Sequence, residues 1–184
     1  MNVLDALNSR RTVRQYDATY TIPEDVLKQI VDCGLDSPTG CDMQGIDLVV
    51  VTDRAKIDEA TGITFRSFDE ARQERWNMRK QDYGVKNVVS CDASCVIFLV
   101  ANERAGEFVN VDAGIMTMAM MAAARNFDLH TMCLGALLWG DKAGLEKCIG
   151  APEGKLVMAL AIGKAKEGPL LLKDKERKCK ATYI

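Results

Sequence analysis

The chain has 184 residues, 48% of them apolar and 27% charged, and a formal net charge of −2. That length suits one domain with a full core, spanning residues 1–184, rather than two. The charge balance excludes a general nucleic-acid binder, which needs a basic stripe to displace counterions. The longest apolar runs, around Cys95–Ala101 and Val157–Ile162, are too short to span a bilayer, so no membrane partner is expected.

No opening stretch combines basic, apolar and small-residue regions, so no signal peptide is read and a cytoplasmic location is expected. The seven cysteines are Cys33, Cys41, Cys91, Cys95, Cys133, Cys148 and Cys179, and no pair is spaced CxxC. An odd count without that spacing fits reduced thiols better than a disulfide framework. Cys91, Cys95 and His130 lack clear zinc-ligand spacing, so no metal is expected. Most of the cysteines read as small buried hydrophobes.

In chain order, Val3, Leu4 and Leu7 share one face of a first helix over Val3–Ser9. The polar stretch SRRTVRQY (Ser9–Tyr16) follows, with three arginines in five residues. If it is extended, Thr12, Arg14 and Tyr16 share a face by the period of two. Thr21 and Glu24 can form a capping box for a second helix, with Pro23 in its first turn. Leu27, Ile30 and Val31 give that helix its apolar stripe, and Gly34 ends it. SPTGCDMQG (Ser37–Gly45) is a loop by its Pro, Gly and Asp content, and IDLVVVT after it reads as a buried strand.

Asp53 caps a short helix that stops near Gly62. The polar segment over Phe65–Tyr83 reads as a helical excursion across the surface. SCVIFLVA is a second buried strand. In VNVDAGIMTMAMMAAARNFDL, Val109, Ala113, Met116, Met120 and Ala123 recur at helical spacing while other faces are apolar too. Such a helix lies inside the fold or against another subunit, and its methionines read first as core packing. HTMCLGALL is a third strand running into a turn. Asp141 caps a helix that Gly150 ends, and KLVMALAIG is a fourth strand. Helices and strands interspersed in this way are consistent with one mixed sheet covered by helices.

The arginines of SRRTVRQY have two readings: a solvated loop, or an anion site in which guanidinium forks and a Thr hydroxyl hold phosphate. A second basic segment, Lys175–Lys178, lies near the other end of the chain. No Walker loop, GxGxxG, HExxH or GxSxG is present. His130 has no obvious nucleophile beside it, since Cys133, three residues on in a strand, would face the other way.

LNSRRTVRQYD, SPTGCDMQ, DAGIMTMAMMAAARNFDLHTMCLGA and KERKCK, in that order, resemble the FMN-dependent nitroreductase family over essentially the whole chain. The resemblance implies an α+β three-layer sandwich with a mixed central sheet, built as an intertwined homodimer with FMN at the subunit interface. It implies that Arg10, Arg11, Thr12 and Arg14 belong to the FMN site. Arg10 and Thr12 would hold phosphate and ribityl, and Arg14 would reach the pyrimidine edge. Lys175 and Arg177 would complete the phosphate cage. Pro38, Thr39, Gly40 and Asp42 would come from the partner subunit, and Cys133, Leu134 and Gly135 would line the other side of the ring. Asn87 or Lys86 would meet the ring edge.

The implied activity is hydride transfer from NADH or NADPH through flavin N5 to a nitroaromatic, quinone or similar small acceptor, by a ping-pong mechanism. The flavin carries that chemistry, so no catalytic acid or base is expected of the protein, and a fixed cation such as Arg14 would stabilise the reduced ring. The fold also admits dehalogenation, enone reduction or flavin destruction, and a flavin-binding redox sensor using Cys133 is a third reading. The chain departs from the family pattern at Asp42 (usually Asn), at Gly45-Ile46 (usually Pro-Trp) and at Asp128 (usually Gly). Its short length implies fewer walls around the flavin and a more open pocket.

Overall fold

Successive residues of a strand face opposite sides of its sheet, and in β2 (Cys95–Ala101) both sides are apolar. Val96, Phe98 and Val100 join one buried cluster with Ile57, Ala60, Leu137 and Leu145. Cys95, Ile97 and Leu99 join a second with Leu27, Ile30, Met116 and Met120. The sheet is therefore covered on both faces. The computed structural model describes residues 1–173, 176 and 178–183.

β1 (Ile46–Val51), β2, β3 (His130–Cys133) and β4 (Leu156–Gly163) form the sheet in the order β1-β2-β4-β3. Helices α2 (Glu24–Leu35) and α5 (Val109–Asn126) pack on one face, and α3 (Arg54–Arg66) and α6 (Lys142–Ile149) on the other. The result is the expected three-layer α+β sandwich. α1 (Val3–Ser9) lies against α5, and α4 (Glu70–Tyr83) follows α3.

The expected mixed sheet is corrected in its pairing. Every strand–strand neighbour is antiparallel. β2 and β3 do run in the same direction, joined by the crossover helix α5 as parallel strands require. But β4 inserts between them and pairs with both. Among the described residues the only isolated parallel contact is a single bridge, Thr12 to Thr131.

Helix ends follow local chemistry, with three corrections. The Thr21–Glu24 capping box does not form. Pro23 is the N-cap of α2, extended at ψ 140°, and no side chain caps the helix. Thr21 thus lies two residues too early for the box geometry. Gly34 does not end α2 either; it is buried within it, where an added Cβ would fall 2.9 Å from Met120 Cγ. The glycine lets α2 and α5 approach. Similarly α3 runs through Gly62 to Arg66, because Ile57, Ala60, Thr61 and Thr64 keep one face buried. Asp53, Asp69 and Asp141 each accept the amide three residues on, at the starts of α3, α4 and α6. Gly84 and Gly150 end α4 and α6 in the left-handed region, which glycine adopts without strain.

Two of the departures have local explanations. A Cβ on residue 45 would sit 2.7 Å from the Ala105 Cα, so the chain there needs glycine. Asp128 has φ 55°, a left-handed position that Asp tolerates and Gly favours. Its carboxylate lies 3.4 Å from Lys164 Nζ and 3.8 Å from Arg125.

Candidate functional site

SRRTVRQY runs extended along the free edge of β3. Val13 N–H donates to the Thr131 carbonyl and Tyr16 N–H to that of Cys91. Val13 and Tyr16 are completely buried and anchor the stretch. Thr12, Arg14 and Tyr16 do not share a face, contrary to the period-two expectation. Thr12 and Arg14 line two different grooves, because the stretch bridges β3 at Thr12 and the chain after β4 at Tyr16 instead of forming a regular strand.

The first groove, about 220 Å³, holds Arg14, Cys133, Leu134 and Gly135. The second, about 470 Å³, holds Arg10 and Thr12 with Thr117 and Met118 of α5. Cys133 lies on the wall of both. Arg10, Thr12, Arg14 and Cys133–Gly135 are thus brought together around one strand end. Leu134 N–H is committed to the Ala159 carbonyl, whereas the Gly135 and Ala136 amides open the following 3-10 turn without a backbone acceptor among the described residues. Nothing lies within 4 Å of where a Gly135 Cβ would be.

The other candidates lie elsewhere. The Arg11 guanidinium folds back on the carbonyls of Asn8 and Arg10 at the end of α1. Asn87 has its amide spent on Asp58 (2.6 Å) and Thr61 (2.8 Å), and its carbonyl accepts the Val89 and Ser90 amides. It faces a separate groove with Lys86, although Val88 and Val89 form a wall common to that groove and the first. Pro38, Thr39, Gly40 and Asp42 form a loop tied to the start of α5, where Gly40 N–H donates to Asp112 Oδ1 at 2.9 Å. None of the four lines a groove with Arg10, Thr12 or Arg14. Asp42 accepts from Gln44 Nε2 rather than pairing with an arginine. Lys175 and Arg177 lie outside the described residues.

Trp76, Arg79 and Tyr83 of α4, with Trp139 beyond the 3-10 turn, wall the groove that holds Arg14. These residues were missed in reading the site, yet a signal existed. Asp69 and Gly84 mark the ends of α4, and residues 76, 79 and 83 follow its 3.6 period on an otherwise polar helix. Trp76 packs against the buried Phe68 in a tilted contact, with ring centroids 5.5 Å apart and an interplanar angle of 54°, which ties α4 to the turn before it.

Burial dominates the electrostatics. It pushes the Cys91 thiol up to about 12, against the nearby Arg14 charge. Tyr16 is raised well above the usual phenol value by the same desolvation, and its hydroxyl has no hydrogen-bond partner among the described residues. Desolvation also raises Cys133, opposed by Arg10. Cys95 reaches about 12 inside the core. Among the described residues no cluster of three or more His, Cys, Asp or Glu side chains could hold a metal ion. His130 Nε2 lies 3.1 Å from Arg125, and burial lowers its pKa, so it is a neutral acceptor in the fold rather than a partner for Cys133. No helix among the described residues is long and apolar enough to cross a membrane.

Comparisons with known proteins agree on the fold. A nitroreductase of Desulfitobacterium hafniense with bound FMN superposes with a TM-score of 0.80 at 20% identity, covering 100% of this chain and 99% of that one. One from Bacteroides fragilis with bound FMN gives 0.78 at 22% identity over 100% and 99% of the two chains. A protein of Methanothermobacter thermautotrophicus named "Putative NADH dehydrogenase/NAD(P)H nitroreductase" is 23% identical over 154 residues, 83% of this chain and 71% of its own length. The family model described as the nitroreductase family matches residues 7–164, so the chain belongs to the nitroreductase family.

Proposed function

We propose that this chain is an FMN-dependent oxidoreductase that takes a hydride from NADH or NADPH and passes it to a nitroaromatic, quinone or similar acceptor in a ping-pong cycle. The observation that carries this reading is the convergence of Arg10, Thr12 and Arg14 on two grooves that share Cys133. The residues fit FMN. The larger groove offers a guanidinium and a hydroxyl for phosphate and ribityl, with the buried Thr117 hydroxyl on its wall unpartnered among the described residues. The smaller offers Arg14 and apolar walls for a flat ring. The larger groove, about 470 Å³, lies within the usual size of a cofactor pocket, roughly 300–1,000 Å³, and the smaller, about 220 Å³, lies below it.

Bound FMN supplies hydride acceptance and donation at N5. The protein's part is placement. Arg10 and Thr12 anchor the phosphate end, with Lys175 and Arg177 proposed to complete that cage. Arg14, which cannot lose its proton, faces the edge where reduction adds negative charge. Gly135 keeps the strand end open, and its free amide is positioned to donate to the ring. Asn87 buttresses the Val88–Val89 wall rather than touching the ring. The Pro38–Asp42 loop would cover the ring from a partner subunit. Support for a homodimer comes from α5, whose Val111, Ile115 and Met118 are exposed apolar residues on one helix. Seven free cysteines, four of them exposed, suit a reducing cytoplasmic setting. The sensor reading is disfavoured because desolvation holds Cys133 above the ordinary thiol range, away from the reactive thiolate.

The test is an absorbance spectrum followed by anaerobic NADH or NADPH. The purified protein should be yellow, bleach with the nucleotide and regain colour with a quinone or nitroaromatic. Arg14→Ala should weaken FMN binding by about tenfold or more, the loss of one charge-assisted hydrogen bond, and lower the flavin potential. An unchanged potential removes Arg14 from that role.

A further inference from the structure

The groove holding Arg14 contains features that hydride transfer through a flavin does not require. Two guanidinium groups, Arg14 and Arg79, line it, and among the described residues no carboxylate does. Neither arginine forms an ion pair among the described residues. Arg14 is already assigned to the cofactor, so Arg79 is the spare cation. It is held in place: its guanidinium sits 5.6 Å from the centre of the Trp76 ring, and Trp76 rests on Phe68. Both tryptophans of the chain line this same groove. Trp139 is 67% exposed at its rim, an unusual exposure for so large an apolar side chain. Aromatic faces and a cation with no acid nearby are the donor set for a flat ring that carries negative charge.

We propose that the mouth of this groove, outside the part that the flavin ring would fill, selects planar aromatic acceptors bearing an anionic substituent, with Trp76 and the rim residue Trp139 against the acceptor ring and Arg79 pairing the anion. The assignment rests on the flavin reading for turnover, but not for binding. Arg79 is a specificity residue here, and an exposed one, so its share of the affinity is modest. A nicotinamide dinucleotide also joins aromatic rings to anionic groups, and the test separates the two sources.

The probes are 4-nitrobenzoate and 4-nitrobenzamide, which share a ring and a nitro group and differ in charge. Quenching of tryptophan fluorescence reports on this groove, and it is measured on the protein with and without added FMN. The wild type should bind the benzoate more tightly. Arg79→Gln should reduce the benzoate-to-benzamide affinity ratio roughly threefold to tenfold, and Arg79→Lys should retain most of it. A ratio that Arg79→Gln leaves unchanged overturns the proposal. So does a variant that loses affinity for FMN, or for NADH and NADPH, with the ratio intact, since Arg79 would then serve the cofactor or the donor. Failure of the flavin reading is seen separately, as protein that neither carries nor takes up FMN.

Discussion

His130 shows how a single residue's environment sets its role. Its ring is half-buried beside Arg125, with Lys164 adding positive charge and Asp128 opposing it. Desolvation is the largest of these effects and lowers the folded pKa below 6.5. Unfolded chains therefore take up the proton first as pH falls through about 6.5. Stability drops from there until the folded pKa is passed, and no further below it. His130→Gln keeps an acceptor for Arg125 and removes the titration. Urea midpoints measured at pH 7.5 and pH 5 should show a smaller acid-side loss in the variant. Parallel losses in the two proteins would remove His130 as the cause. Cys91, Cys95 and His130 are zinc-ligand types, but two are protonated core thiols and the third accepts from an arginine.

Elements meet closely where side chains are missing. At the entrance to β1, Gly45 abuts the backbone of Arg104 and Ala105, and its carbonyl accepts from the Asn102 amide at 3.0 Å. Backbone cannot swing aside as a methionine can. Gly45→Ala should therefore cost about 1–3 kcal/mol, in the range of overpacking. Gly34→Ala meets only the flexible Met120 side chain and should cost less. Thermal unfolding of the two variants checks the order, and equal midpoints would mean that the turn at Ala105 yields freely. The departure from Pro-Trp at residues 45–46 thus has a packing cause, and Ile46 is buried at the start of β1.

At the scale of the molecule, α5 has two apolar sides. Met116, Met120 and Ala124 pack inward on the sheet, whereas Val111, Ile115 and Met118 face outward. The site is likewise divided: the Pro38–Asp42 loop is bound to α5 by Asp112, away from the grooves of its own chain. Both facts are accounted for by the proposed homodimer. Sedimentation should give twice the 20.3 kDa chain mass. Ile115→Glu should yield monomers that retain FMN poorly. A folded monomeric variant with full FMN affinity would show that each chain builds its site alone.

Most helix starts, the buried strands and the basic stretch were legible in the sequence by itself, because caps, periodicity and charge are local properties, whereas the ends of α2 and α3 were not. The Asp-x-x amide caps of α3, α4 and α6 and the two-sided apolar β2 are examples. What only the tertiary structure decided depends on contacts between residues far apart in the chain. β4 slips between β2 and β3, so the sheet pairs antiparallel although a helix crosses between parallel strands. Trp76, Arg79 and Tyr83 lie 50 to 57 residues before Cys133 in the chain, yet they wall its groove. The spacing of residues 76, 79 and 83 on α4 is local, but which strand end they meet is set by packing, including the tilted Trp76–Phe68 contact.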